Sequence, residues 1–469
     1  MRRAYEVDRP EIRHPDTDLG ALQAALVTVL GVWAGAAWAV PAAVVGAFAR
    51  RRRRGAVAYV LLALLASAAG SHAWSSAAPR HLGPYTGWAE LVKDPSPVGF
   101  GAKATVRIGG ERFDTWLFGA DRAALADRQA GEWAWVSGTR RPNRGAIRRA
   151  LIRHVVGRFD IDVVGDVVPG NAIDRASNRV RSALRRSAEA AMSPADAALF
   201  SGLVIGDDSR QPGWLVSDFR ASGLSHLTAV SGQNVAYVLA AAIPLLRRLR
   251  PGWRWAATVG LIGWFMALTR FEPSVLRAGV MAMLSATAFV LGRSMHPVRS
   301  VSIAVVLLTL LDPMLVWSVG FWLSVGATLG VAVAGPWWAQ RLPGPLWLRL
   351  AAGVTLGAQT GVALPSLLVF HRLAIISLPA NLAAVPVAGF VMLYGLPAGL
   401  FAAALPAALA RVAMAPVVVG TRWVATVASV ASALEPSGGW EVIAWVGAVG
   451  ALVVIVVRHS RRATEGVPI

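Results

Sequence analysis

Apolar runs govern what this chain can fold into. A bilayer span needs about 20 consecutive predominantly apolar residues, and the chain offers such runs repeatedly. They occur at 19–49, at 56–74, and through most of the sequence from residue 195 onward, the longest at 373–405. Charged residues make up only 15% of the chain, where a soluble domain carries about 25%. A soluble enzyme, a disordered protein and a fibrous protein are excluded, and a polytopic membrane protein is expected. Helical spans are predicted near 224–245, 256–270, 273–292, 300–318, 319–335, 350–370, 373–405, 407–433 and 440–457.

Charge orients these helices. The formal net charge is +20 and the cations are almost all arginine, with lysine only at Lys93 and Lys103. Basic loops direct helix orientation, hold anionic lipid or attract nucleic acid, and the first use alone explains much of the excess. Arg50–Arg54 is an unbroken basic run placed in the cytoplasm by the positive-inside rule. Arg247/Arg248/Arg250/Arg254, Arg293/Arg299, Arg341/Arg349 and Arg458/Arg461/Arg462 fall on the same side if 373–405 makes one net crossing. Pro379 and Pro386 flank Asn381 there, which predicts a helix break at membrane depth. Residues 1–18 are polar and lack the short apolar core and cleavage site of a signal peptide. Cysteine is absent, which removes disulfides, thiolate metal sites and a cysteine nucleophile.

Residues 75–170 interrupt the apolar pattern. Gly101–Ile108, Glu111–Phe118 and Glu132–Gly138 alternate or carry β-formers, Gly109-Gly110 suits a tight turn, and Arg153–Val168 reads as one or two more strands. A basic turn is predicted from Arg140 to Arg149, with Pro142, Asn143 and Gly145 as breakers. The expectation is a small β-barrel of about five strands lying outside the membrane. Trp88, Trp116, Trp133 and Trp135 could stack nucleobases beside Arg107, Arg112 and Arg140, with core packing expected for at least half of these tryptophans. Residues 171–192 then form a basic amphipathic helix, with Ile173, Ala176, Val180, Leu184 and Ala188 on one stripe and Arg175, Arg179, Arg181, Arg185 and Arg186 over much of the rest.

No catalytic constellation emerges. The eight histidines form no metal-ligand spacing, and neither a P-loop nor a G-x-S-x-G elbow occurs; no catalysis, metal or cofactor is expected. Three polar clusters stand in apolar surroundings instead. The first is Ser222–Val235, with Ser225, His226, Ser231, Gln233 and Asn234; read as one helix it puts Ser231, Asn234 and Val235 on a face. Polar groups at membrane depth point into a bundle or a hydrated path, so the segment serves interhelical hydrogen bonding or lines a lumen. The second is Arg270–Arg277, where Glu272 and Arg277 either cap and orient a helix or bring Arg277 to an anion. The third joins Gln359 to Asn381, two residues that could also simply bond each other.

These clusters, in this order, resemble the competence region of the ComEC family of DNA-uptake proteins. Gly223-Leu224-Ser225-His226-Leu227-Thr228-Ala229-Val230-Ser231-Gly232 is similar to that family's G-x-S-H-L-L-A-I-S-G signature, and Leu203–Asp208 to its L-x-x-G-D/E element. Pro273–Ala278, Leu311-Asp312-Pro313, Phe321-Trp322-Leu323-Ser324 and Ser377–Leu382 follow in family order. Two features depart from the family: Gln233-Asn234 stands where members often have Leu-His, and the chain reaches Ile469 without the metallo-β-lactamase-like domain many members carry.

The resemblance implies a polytopic α-helical membrane protein with a small external OB-like β-barrel. Its parts would be an N-terminal polar head and helices (1–74), the OB-like domain (75–170), the basic amphipathic helix (171–192) and a competence-type channel domain (193–469). It implies uptake of single-stranded DNA across the cytoplasmic (inner) membrane during natural transformation, the alternative being transport of another anionic polymer or lipid. Ser225, His226, Ser231, Gln233, Asn234, Arg277, Gln359 and Asn381 would line the path. Trp116, Arg107, Arg112, Arg140, Arg181 and Arg185 would bind DNA outside. Besides DNA and membrane lipids, a separate metallo-β-lactamase-like nuclease and other uptake components are implied partners.

Overall fold

A computed structural model describes residues 15–37, 40–41, 44, 53–143, 147–228, 232–293, 295–371, 374–436, 444–448, 450–451 and 454. The expected polar head, the second arm of the 19–49 hairpin, most of the Arg50–Arg54 run, Ser231 and most of the 440–457 span lie outside the described residues. The chain opens with α1 (Pro15–Ala34) and α2 (Arg53–Ser75). These pack closely because Gly31 of α1 faces Ala63 and Ala66, where an added Cβ would sit 2.8 Å from the Ala63 carbonyl.

A sheet follows, built of β1 (Gly83–Leu91), β2 (Ser96–Val98), β3 (Gly101–Ile108), β4 (Glu111–Leu117), β5 (Trp133–Pro142) and β6 (Val155–Val168). Short helices α3 (Gly119–Leu125) and α4 (Ile147–Leu151) precede β5 and β6. The order is β1-β5-β6-β4-β3-β2, and β1 pairs with β3 as well. Only β4–β6 is parallel; β1–β3, β1–β5, β2–β3, β3–β4 and β5–β6 are antiparallel. The Gly109-Gly110 turn takes φ of 59° and 85°, the doubly left-handed geometry of a tight hairpin that glycine adopts without strain.

The sequence reading missed β1, although Tyr85 to Leu91 alternates in exposure along the strand. It also placed a turn at Arg140, where β5 continues through Arg141 against Arg158 of β6. The sheet's interior is filled by Phe113, Phe159, Ile108, Leu91, Leu117 and Leu125. The tryptophans are not in that core. Trp88, Trp116, Trp133 and Trp135 are 38–43% exposed, because the positions alternating with them (Ala89, Ala134, Val136, Leu117) take the inner face.

Helix α5 (Ala172–Ala191) starts where expected, with the Asn171 side chain accepting from the Ile173 and Asp174 amides. Beyond it come α6 (Pro194–Ile205), α7 (Gly213–Ala221), α8 (Ser225–Thr228), α9 (Gly232–Leu246), α10 (Pro251–Leu268), α11 (Pro273–Val290) and α12 (Pro297–Leu311). A 3-10 turn (Pro313–Trp317) leads to α13 (Val319–Arg341), α14 (Leu346–Phe370), α15 (Ser377–Ala402) and α16 (Ala407–Leu434). Among the described residues six helices, α2, α11, α13, α14, α15 and α16, are long and apolar enough to cross a membrane; the chain is a multi-pass membrane protein. Shorter apolar helices cover 18–34, 194–205, 232–246 and 297–311.

In the 224–245 span the described residues are helical over Ser225–Thr228 and Gly232–Leu246, and 229–231 lie outside the described residues. One expected element differs. The predicted break at Asn381 is absent, and α15 runs unbroken for 26 residues. Pro379 occupies its third position, where no intrahelical donor is required, and Pro386 and Pro397 are absorbed within the helix. The two amides before it, Ile375 N and Ile376 N, donate to the carboxylate of the buried Glu435 at 3.1 and 3.0 Å.

The sheet unit is held to the helices by charge. Arg181 is 5% exposed, and its Nη2 lies 2.7 Å from Asp94 Oδ2 and 3.0 Å from Asp207 Oδ2. Arg270 Nη2 meets Asp94 Oδ1 at 3.1 Å and Asn178 Oδ1 at 2.6 Å. Burial alone would push the Asp94 carboxyl up, but Arg181, Arg270 and the Ala130 amide together hold it below its ordinary value. Lys93–Glu272 (2.6 Å) and His154–Asp312 (3.0 Å) add outer contacts. The turn that presents Arg270 carries two non-glycine residues in left-handed conformation, Arg270 (φ 59°) and Phe271 (φ 52°), each of which costs on the order of 1 kcal/mol.

Candidate functional site

The Ser222–Thr228 segment is shaped by Gly223. Its φ is +73°, and a Cβ there would stand 2.6 Å from Ser377 Cβ, so only glycine lets the segment lie against the start of α15. Ser222 and Leu224 are fully buried beside it. Ser225 and His226 are exposed, and the ring Nδ1 of His226 lies 3.3 Å from the Gly223 carbonyl. The Thr228 hydroxyl donates to Ser225 O at 3.1 Å.

Ser377 is the junction of the first and third clusters. Gln359 of α14 donates its amide to Ser377 Oγ, and Asn381 donates to Ser377 O at 2.7 Å. The two amides therefore meet on one serine rather than on each other. Gln233 donates to Tyr237 Oη at 2.7 Å within α9. Asn234 is 2% exposed and donates to Leu203 O of α6 at 2.9 Å.

The second cluster reaches the same region. Gly232 lies close enough to α11 that an added Cβ would be 3.0 Å from Ala278 Cβ. The neighbouring Arg277 is 5% exposed, donates Nη2 to Gly320 O at 3.0 Å and lies 5.2 Å from the Phe321 ring centroid. Gly223 thus meets the start of α15, to which α14 is bonded through Gln359, and Gly232 meets α11.

The outer candidates are more dispersed. Trp116 is 43% exposed, with Lys103 Nζ 5.2 Å from its ring centroid. Arg107 pairs with Glu90 at 2.8 Å. Arg112 donates to Arg153 O at 3.4 Å, and burial and the neighbouring Arg107 lower its pKa. Arg140 lies 5.2 Å from the Tyr85 ring centroid. Arg181 is not on the surface of its helix; its charge is matched by Asp94 and Asp207. Arg185 is partly buried, 3.9 Å from Glu189, and borders a cavity of about 360 Å³ with Arg210, Asp207 and Ser201. Sequence reasoning missed Glu435 and Asp94 as organising residues, because a lone carboxylate in a loop carries no local pattern, and met Asp207 only as part of the Leu203–Asp208 element, without its arginine partner.

Sequence comparison accords with this arrangement. The matched part of the chain is 27% identical over 221 residues to ComE operon protein 3 of Bacillus subtilis (strain 168), covering 46% of this chain and 28% of that protein. It is also 27% identical over 217 residues to the uncharacterized protein YcaI of Escherichia coli (strain K12), covering 41% and 28%. The chain thus spans little more than a quarter of the length of these curated relatives. No solved structure matches it. The sequence model described as Competence protein matches residues 203–462, which takes in α8 and α9, Arg277, Gln359 and Asn381 and amounts to more than half of the chain; on that match this chain belongs to the Competence protein family.

Proposed function

We propose that this chain conducts single-stranded DNA across the cytoplasmic (inner) membrane during natural transformation. The observation that carries the reading is the convergence of three separated polar segments inside an apolar helical assembly, with Gly223 against Ser377 and Gly232 against Ala278. A polyanion crossing lipid needs a hydrated path with hydrogen-bond donors and positive potential at its entrance. Ser225, His226, Ser231, Gln233, Asn234, Arg277, Gln359 and Asn381 supply the polar groups in this reading. Contacts to phosphate are blind to sequence, so no base preference is expected.

The 75–170 unit is then an external OB-like barrel. With the three-residue β2 set aside, its pairings form a ring, β1-β3-β4-β6-β5-β1, which supports closure. Its exposed tryptophans offer stacking faces, with Trp116, Arg107, Arg112 and Arg140 as the outer contacts and Arg185 on the following helix. Arg181 would act on DNA only indirectly, through the seating of the sheet unit.

The test is complementation of a deletion strain with parallel assays of labelled DNA uptake and lipid flux. Restored uptake of labelled single strands with unchanged lipid flux is expected. Lipid or another anionic polymer moving while DNA does not would replace this reading with the transporter alternative.

A further inference from the structure

The helical half contains three arginines largely removed from solvent, and they are treated differently. Arg181 has two carboxylate partners, and Arg270 has Asp94 and the Asn178 amide oxygen. Arg277, 5% exposed, has no carboxylate within ion-pair distance among the described residues. One hydrogen bond, from Nη2 to Gly320 O, engages it, while Nε and Nη1 are buried without a partner among the described residues. A guanidinium stays charged and carries five N–H donors, and the three on Nε and Nη1 are unmet there. Phe321 offers only a cation–π contact, with the guanidinium carbon 5.2 Å from the ring centroid, which is weaker than an ion pair with an acid. Burying an uncompensated charge costs several kcal/mol. The fold supplies acids to its neighbours and withholds one from Arg277.

The position explains what could complete it. Arg277 follows Glu272 by five residues, about 7.5 Å along α11, and Glu272 is where Lys93 of the sheet unit docks. The next residue of α11, Ala278, is the one that Gly232 approaches. We infer that Arg277 forms a binding site for one phosphate-class oxyanion just inside the helical half, beneath the docked sheet unit. Planar guanidinium donors match the oxygens of a phosphate or phosphodiester. In this conformation the group is stored against Phe321 and the Gly320 carbonyl, and loading requires it to leave the ring. If the DNA path proposed above is right, the physiological ligand is a backbone phosphodiester; the site itself does not depend on that reading.

The experiment uses the purified full chain in lipid nanodiscs. Its unfolding midpoint is followed while inorganic phosphate or dimethyl phosphate replaces chloride at constant ionic strength. A saturable rise is expected for the wild type and for Arg341→Gln, a surface control. Arg277→Gln should abolish the rise and Arg277→Lys should weaken it. Arg277→Met should unfold no earlier than the wild type in chloride, since it removes an uncompensated charge. An equal anion response in wild type and Arg277→Gln would overturn the site. So would an Arg277→Met protein that is strongly destabilised in chloride, because that result marks a structural arginine. An intact anion response in a protein that fails to move DNA would reject the path and leave the site standing.

Discussion

Asp114 shows how little of a residue's role needs to be visible along the chain. It is 4% exposed in β4, and its carboxylate receives Lys103 at 2.7 Å, Arg153 at 2.8 Å and the Thr105 hydroxyl at 2.8 Å. Burial raises its pKa, but these three donors outweigh that and hold it below the ordinary aspartate value. An acid lowered in the folded state contributes stability above its unfolded pKa, near 3.9, and loses it as pH falls through the folded value. Asp114→Ala leaves two partly solvated cations without their acid and should cost about 1–3 kcal/mol, read as faster hydrogen exchange at β3 and β4 amides in the full chain at neutral pH. The difference from wild type should narrow only below about pH 4; a gap that closes already near pH 6 would remove Asp114 from this role. Both lysines of the chain are spent in ion pairs, Lys103 here and Lys93 at Glu272. Their scarcity was legible in the sequence, and their partners were not, because strand pairing and docking bring those partners from far along the chain.

At the scale of elements, apolar spacing located most helices to within a few residues, since burial of one face is a local property of sequence. Breaks were harder. A proline signals a missing donor, but whether a helix stops there depends on who satisfies the freed groups, and Glu435 lies 54 residues beyond Asn381. The closest helix pairing was likewise illegible. Gly326, Gly330 and Gly335 of α13 face Gly353, Gly357 and Gly361 of α14, and a Cβ on Gly330 or Gly361 would overlap the backbone carbonyl of Gly357 or Gly326. Small residues permit such approach in membranes, yet the glycine spacing alone does not name its partner. Gly330→Ala and Gly361→Ala should each lower the unfolding midpoint in detergent, by the equivalent of roughly 1–3 kcal/mol or more. Gly263→Ala in α10 meets nothing within 4 Å and should be neutral or stabilising by up to about 1 kcal/mol. Equal losses at all three positions would mean that helix pairing is not what these glycines serve.

At the scale of the molecule, the sequence divided the chain into a polar unit and an apolar half but carried no sign of what joins them. The inner part of the join draws on four separate stretches: Lys93-Asp94, Asn178 and Arg181, Asp207, and Arg270–Glu272. In the sequence two of these suggest other uses, Arg181 as a DNA contact and Arg270–Arg277 as either a helix-capping device or an anion contact, because a charge read in isolation looks solvent-directed. The outer pair, Lys93–Glu272, is half-exposed and should contribute only about 0.2–1 kcal/mol, whereas the inner Asp94 bridges the buried Arg181 and the largely covered Arg270. Asp94→Asn should therefore loosen the sheet unit far more than Lys93→Glu does, seen as increased protease cleavage between residues 168 and 194 in intact membranes. Pairing Lys93→Glu with Glu272→Lys should restore protection, since the interaction is reversed rather than removed. Added salt should weaken the effect of the outer pair and leave that of Asp94 nearly unchanged, because buried charges are poorly screened. If Asp94→Asn membranes resist cleavage as the wild type does, the sheet unit is seated by its remaining contacts, and the Arg181–Asp94–Arg270 bridge is not the joint.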